Sequence, residues 1–165
     1  MPENFAEPAE PAEPAEAAEP STSAEPAAPV RFDTKVVVVL RDELLPWQEL
    51  NVTAFLMSGI ATSAPDLVGE PYRDADGTEY LPMLRQPVLV QTASPETLTT
   101  IRERAASRGL TVAVYTRELF STGHDAANRA AVAAVPAAGL DLVGIGIRGP
   151  RNAVDKVVKG ARMHA

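Results

Sequence analysis

Five residues within eight positions carry the side chains best suited to chemistry: Thr122, His124, Asp125, Asn128 and Arg129. If a helix starts near Gly123, His124 and Asn128 stand four apart and share one face, with Asp125 and Arg129 on the next. A neutral imidazole is a base near neutral pH, and a neighbouring carboxylate can orient it. Thr122 or Ser121 would be the nucleophile only if the fold opposes it to His124. The catalytic reading therefore uses His124, Asp125 and Thr122, with Asn128 and Arg129 as ligand contacts. The structural alternative is a helix N-cap plus a surface Asp125–Arg129 pair.

A second group follows an apolar run: Arg41, Asp42, Glu43, then Trp47 and Asn51. Loops at the carboxyl ends of sheet strands are the usual binding places in α/β proteins. Arg41, Trp47 and Asn51 are the expected ligand contacts, although Asp42 and Glu43 would oppose an anion. Trp47 is the only tryptophan. It either covers a pocket or joins the core or a dimer contact.

The elements that must position these groups can be read from spacing. Val36 to Leu40 is an apolar run typical of a central strand covered on both faces. Gln48 to Ala61 fits a helix, with Trp47, Leu50, Ala54, Met57 and Ala61 as its inward stripe. Asp76-Gly77, between Tyr72 and Tyr80, signals a hairpin. A strand centred on Pro87 to Val90 follows. Ser94-Pro95-Glu96 then opens a helix with Leu98, Ile101 and Ala105 inward and Gly109 at its end. Leu110 to Tyr115 is a third strand, Ala126 to Val135 a helix, and Leu140 to Ile147 a fourth strand. In that last strand Gly144 and Gly146 permit close approach of a neighbour. A final helix carries Val154, Val157 and Val158 inward, and Ala161 to Ala165 is a tail or edge segment. Alternating strands and helices imply a three-layer α/β/α domain on one sheet.

Composition sets limits. The chain has 165 residues, no cysteine and only two histidines, His124 and His164. Thiol and disulfide chemistry are excluded, and a zinc site built from Cys and His is not expected. No GxxxxGK[ST] phosphate loop is present, and no cofactor and no metal are expected. Residues 1–30 hold seven Glu and no Lys or Arg, whereas 31–165 hold fifteen acidic and fifteen basic residues. The net charge of -7 thus belongs to an Ala/Glu/Pro-rich leader, expected to be extended and disordered. The rest is formally neutral, which argues against a nucleic-acid partner. No stretch reaches a membrane span and no secretory signal is evident, so a cytoplasmic protein is expected. The expected organisation is a tail over 1–30 and a single domain over 31–165.

Several blocks resemble a known family. They are Arg41 to Gly59, Gly69-Glu70-Pro71-Tyr72, Tyr115-Thr116 through Thr122-Gly123-His124-Asp125-Ala126-Ala127-Asn128-Arg129, and Val154 to Gly160. The family is DUF2000, of unknown function, which shares its fold class with the type II peptidyl-tRNA hydrolases. The resemblance implies a four-stranded mixed sheet in the order 2-1-4-3, with strand three antiparallel to the others, and a homodimer. Hydrolases of that type keep two lysines, a glutamine and a histidine along the first helix. Those positions fall here near Glu49, Asn51, Phe55 and Ser58, and none is retained. The Asp-Ala-Gly-x-Thr run after strand three is also absent. A small-molecule ligand in the strand-end cleft is the expected function. A hydrolase or transferase built on His124 and residual peptidyl-tRNA hydrolysis are the alternatives.

Overall fold

In the computed structural model, which describes residues 30–165, the Val36 to Leu40 run becomes the spine of the molecule. It lies in β1 (Thr34–Arg41), and Val36 to Leu40 are at most 1% exposed. Side chains alternate across a strand, so Val37 and Val39 face one layer and Val36, Val38 and Leu40 the other. The expected leader lies outside the described residues but for Val30.

The helix α1 (Pro46–Ser63) covers one face. Its start is stabilised by Pro46 in the first turn and by Gln48 Oε1, which accepts from the Leu45 N–H at 2.9 Å. The residues it buries are Val52, Leu56 and Ile60, not the expected stripe: Trp47, Leu50 and Ala54 are exposed. This helix is apolar on more than one side, so spacing alone cannot say which side meets the sheet. Burying each large aliphatic side chain is worth about 1.5–3 kcal/mol.

After a 3-10 turn at Pro65–Leu67, β2 (Tyr72–Arg73) and β3 (Glu79–Tyr80) form the expected hairpin. Tyr72 faces Tyr80, and Gly77 takes the positive φ of 86° that its turn requires. Strand β4 (Val88–Ala93) leads to α2 (Pro95–Ser107). There Ser94 Oγ accepts from the Thr97 N–H at 3.3 Å, and Leu98, Ile101 and Ala105 are buried as the stripe predicts. Strand β5 (Val112–Thr116) is followed by a 3-10 turn (Arg117–Ser121) and α3 (Asp125–Ala133). Then come β6 (Leu142–Pro150), α4 (Arg151–Val157) and β7 (Arg162–Met163). Helices α2 and α4 pack on the face opposite α1, giving the three layers.

The sheet has five strands, not four, in the order β5-β6-β1-β4-β7. The inner order matches the expectation, and the short β7 adds an edge strand antiparallel to β4. A two-residue strand leaves almost no periodicity to read. The odd strand is also the fourth, β6, rather than the third: β6 runs antiparallel to both β1 and β5. The reason is the excursion between β5 and β6. It leaves at Thr116 and returns at Leu142, and these two residues are paired. The chain never crosses back over the sheet, so β6 must reverse.

Beneath α1, β6 carries no side chains at two positions. A Cβ at Gly144 would stand 2.4 Å from Val52 Cγ1 and 3.0 Å from Leu56 Cδ1. One at Gly146 would be 3.3 Å from Leu56 Cβ. The helix can therefore lie close on the strand. Gly144→Ala is expected to lower unfolding stability by about 1–3 kcal/mol through overpacking. Gly123→Ala, with nothing within 4 Å of the added carbon, is expected to change it by under about 0.5 kcal/mol. Denaturant titration compares them, and equal midpoints would remove this account of the helix seat.

Candidate functional site

The reversal at β6 leaves the excursion standing at the sheet end beside the first half of α1. A groove of about 520 Å³ opens between them. Its α1 wall is Trp47, Asn51, Phe55 and Ser58, spaced four, four and three along the helix. Its other wall is Tyr115 from β5, Leu119 and Phe120 from the 3-10 turn, and Thr122, Gly123, His124, Asp125 and Asn128.

Four rings run through it in contact. Trp47 meets Phe120 edge-on with centroids 5.7 Å apart, Phe120 lies 5.1 Å from Tyr115, and Tyr115 meets Phe55 edge-on at 5.8 Å. Such aromatic pairs add about 0.5–1.5 kcal/mol each beyond their buried area. Trp47 and Phe55 still leave more than half their surface open, at 57% and 53%. Burial pushes the Tyr115 phenol above its ordinary value, and its hydroxyl donates to Asn51 Oδ1 at 3.2 Å.

Of the residues expected from sequence, Trp47, Asn51, Thr122, His124, Asp125 and Asn128 all line this groove. Arg41 does not. Strand alternation puts it on the Val37 and Val39 face, away from α1. There its buried guanidinium donates to the Leu142 carbonyl at 3.0 Å and pairs with Asp141. Burial alone would raise the Asp141 carboxyl, but hydrogen bonds from Arg41 and Arg117 hold it below the usual carboxylate range. Arg129 also stands outside the groove, exposed and paired with Asp125 one turn away.

The polar groups are committed in specific ways. His124 is the N-cap of α3: its Nδ1 accepts from the Ala127 N–H at 3.3 Å. A ring nitrogen that accepts carries no proton, so the neutral imidazole bears its hydrogen on Nε2. The Thr122 hydroxyl has one proton for two oxygens in range, the Leu119 carbonyl at 2.9 Å and Asn128 Oδ1. No hydrogen bond joins Thr122 to His124, or Asp125 to His124, among the described residues. The three expected catalytic side chains are neighbours without forming a relay. No cluster of three or more His, Asp or Glu suited to a metal occurs among the described residues.

Phe55, Tyr115, Leu119 and Phe120 were not expected as site residues. The signal for Phe55 is the second α1 stripe at 47, 51, 55 and 58, which the apolar character of the whole helix conceals. Tyr115 and Phe120 come from separate elements, and only the fold brings them together.

The carboxyl end of the chain straps the start of α1. His164 N–H donates to the Val90 carbonyl at 3.1 Å, and its Nε2 lies 3.0 Å from Glu49 Oε1. Arg162 pairs with Asp42 at 3.4 Å.

These features define a three-layer α/β protein with an aromatic groove at the carboxyl end of its sheet. The chain belongs to the family described as protein of unknown function (DUF2000), whose model matches residues 34–165. The solved structure of Atu0240, a protein of unknown function from Agrobacterium tumefaciens strain C58, is similar at 47% identity with a TM-score of 0.80. That match covers 82% of this chain and all of the other. No curated protein matches the chain. No helix among the described residues is long and apolar enough to cross a membrane.

The strap yields a pH dependence. The Ala165 carbonyl, then Glu49, raise His164 above the ordinary value of 6.5. A folded pKa above the unfolded one stabilises fully below the unfolded value and loses that contribution as pH rises through the folded value. Thermal unfolding from about pH 5.5 to about pH 8.5 should show wild type losing its advantage over His164→Ala as pH rises. A constant difference between the two proteins would contradict the strap.

Proposed function

We propose that this protein binds a small organic molecule in the groove between α1 and the 116–129 segment, and that it does not hydrolyse peptidyl-tRNA. The observation that carries this is the line of four contacting rings, two of them half-open, flanked by Asn51, His124 and Asn128. A concave site with an apolar lining and a few convergent polar groups is the common form of a small-molecule site.

The resemblance to the type II peptidyl-tRNA hydrolase fold points to the same place. Asn51, Phe55 and Ser58 fall near that enzyme's lysine, glutamine and histidine positions, and all three line the groove. Glu49, at the other lysine position, is engaged by His164. No Lys or Arg lines the groove to hold a phosphate backbone or an oxyanion. The commitments of Thr122 and His124 likewise favour binding over catalysis. Homodimerisation enters this reading through Leu45, at the N-cap of α1, and Leu50 on the helix, exposed apolar residues that a second copy would cover.

Trp47 is the only tryptophan, so its indole N–H resonance reports on the groove alone. Titrating a library of small organic molecules should move that resonance for a subset of them. Phe120→Ala should weaken the binders about tenfold, the loss expected for roughly 1.4 kcal/mol of ring contact. Peptidyl-tRNA should remain intact at micromolar protein. Binding indifferent to Phe120→Ala, or peptide release that this protein catalyses, would contradict the proposal.

A further inference from the structure

The chemical class of the ligand follows from which polar groups of the groove are still free, and this step rests on the binding reading above. Charge is the first criterion. Among the described lining residues the only carboxylate is Asp125, already paired with Arg129, and there is no Lys or Arg. A phosphate or sulfate ester would lose its water without gaining a cation. A cationic amine would find a carboxylate that is already neutralised.

Hydrogen-bond polarity is the second. The hydroxyls in the groove give their protons to the protein: Ser58 to the Phe55 carbonyl at 2.7 Å, Tyr115 to Asn51 Oδ1, and Thr122 to Leu119 or Asn128. With its oxygen occupied by Tyr115, Asn51 has its amide N–H2 free, and that group makes no hydrogen bond among the described residues. The Ala127 N–H holds His124 Nδ1, which leaves Nε2–H as a donor. Asn128, whose Oδ1 lies beside the Thr122 hydroxyl, likewise has its N–H2 unengaged among the described residues. The free side-chain donors thus include N–H groups from α1 on one wall and from α3 and its cap on the other.

Shape is the third. The contacting rings leave Trp47 and Phe55 half-open, and this exposed aromatic surface suits stacking or edge contact with a flat π-system.

We propose that the ligand is an uncharged, flat, conjugated molecule that turns a carbonyl or equivalent acceptor toward Asn51 and His124. Such an acceptor would pair the Asn51 and His124 donors, whereas a ligand without one would cover these N–H groups unsatisfied.

Three probes separate the possibilities: coumarin, a neutral ring lactone; naphthalene, of similar outline without an acceptor; and 4-methylumbelliferyl phosphate, an anion. Dissociation constants come from the Trp47 indole resonance in the full chain. Coumarin should bind at least about fivefold tighter than naphthalene and about tenfold tighter than the phosphate. Asn51→Asp keeps an oxygen for the Tyr115 hydroxyl but removes the N–H2, and should weaken coumarin about tenfold while leaving naphthalene within about twofold. A circular dichroism melt checks that this variant stays folded, and Asn51→Gln, which restores an N–H2, should recover part of the affinity. Equal binding of coumarin and naphthalene, preference for the phosphate, or no effect of Asn51→Asp would overturn the assignment of class. If none of the three binds while other compounds shift Trp47, the class is wrong and the groove still binds ligands. If no compound of any kind shifts Trp47, both readings fail.

Discussion

The close seat of α1 on β6 is the contact on which the rest depends. Gly144 and Gly146 remove two side chains from the strand, and Val52 and Leu56 occupy that space. A helix held this near the sheet buries one narrow stripe and leaves the rest of its apolar surface outside the core. Trp47, Asn51, Phe55 and Ser58 are then free to form a wall rather than a packing surface.

The opposite wall is a consequence of strand direction. Because β6 returns beside β5, the chain between them stays at the sheet end and folds into the 3-10 turn and α3. Asp141, held by Arg41 and Arg117, ties the end of this excursion to β1 and to the start of the turn. Arg41 thus acts as a strut for the groove from behind the sheet. His124 has a similar double place: its cap fixes the first turn of α3, and the same bond sets which ring nitrogen faces outward. The same side chain both fixes the helix start and lines the groove.

Much of this was legible in the residues. The buried strand Val36 to Leu40, the cap and stripe of α2, the Asp76-Gly77 hairpin and the glycines of β6 each have a local cause that spacing or turn chemistry reveals. The cluster Thr122, His124 and Asn128 was also visible as a cluster. What stayed hidden depends on contacts between distant segments. The buried face of α1 was ambiguous because the helix is apolar on several sides. Arg41 sits where a ligand contact is expected in sequence, yet alternation along β1 turns it to the other face. The direction of β6 follows from the path of an excursion with little periodicity, and β7 is too short to carry a pattern. Phe120 became a site residue only when Trp47 and Tyr115 were brought beside it from two other elements.

The central claim is that the ring-lined groove, and no other surface, is where this protein meets its ligand. A crystal structure of the protein grown with coumarin tests that most directly. The account predicts the ring against Trp47, Phe55 and Phe120, with its carbonyl oxygen at about 3 Å from the Asn51 amide nitrogen, an ordinary N–H to oxygen distance. Coumarin bound elsewhere, such as on the outer face of α1 at Leu50, with the groove holding only water, would contradict it.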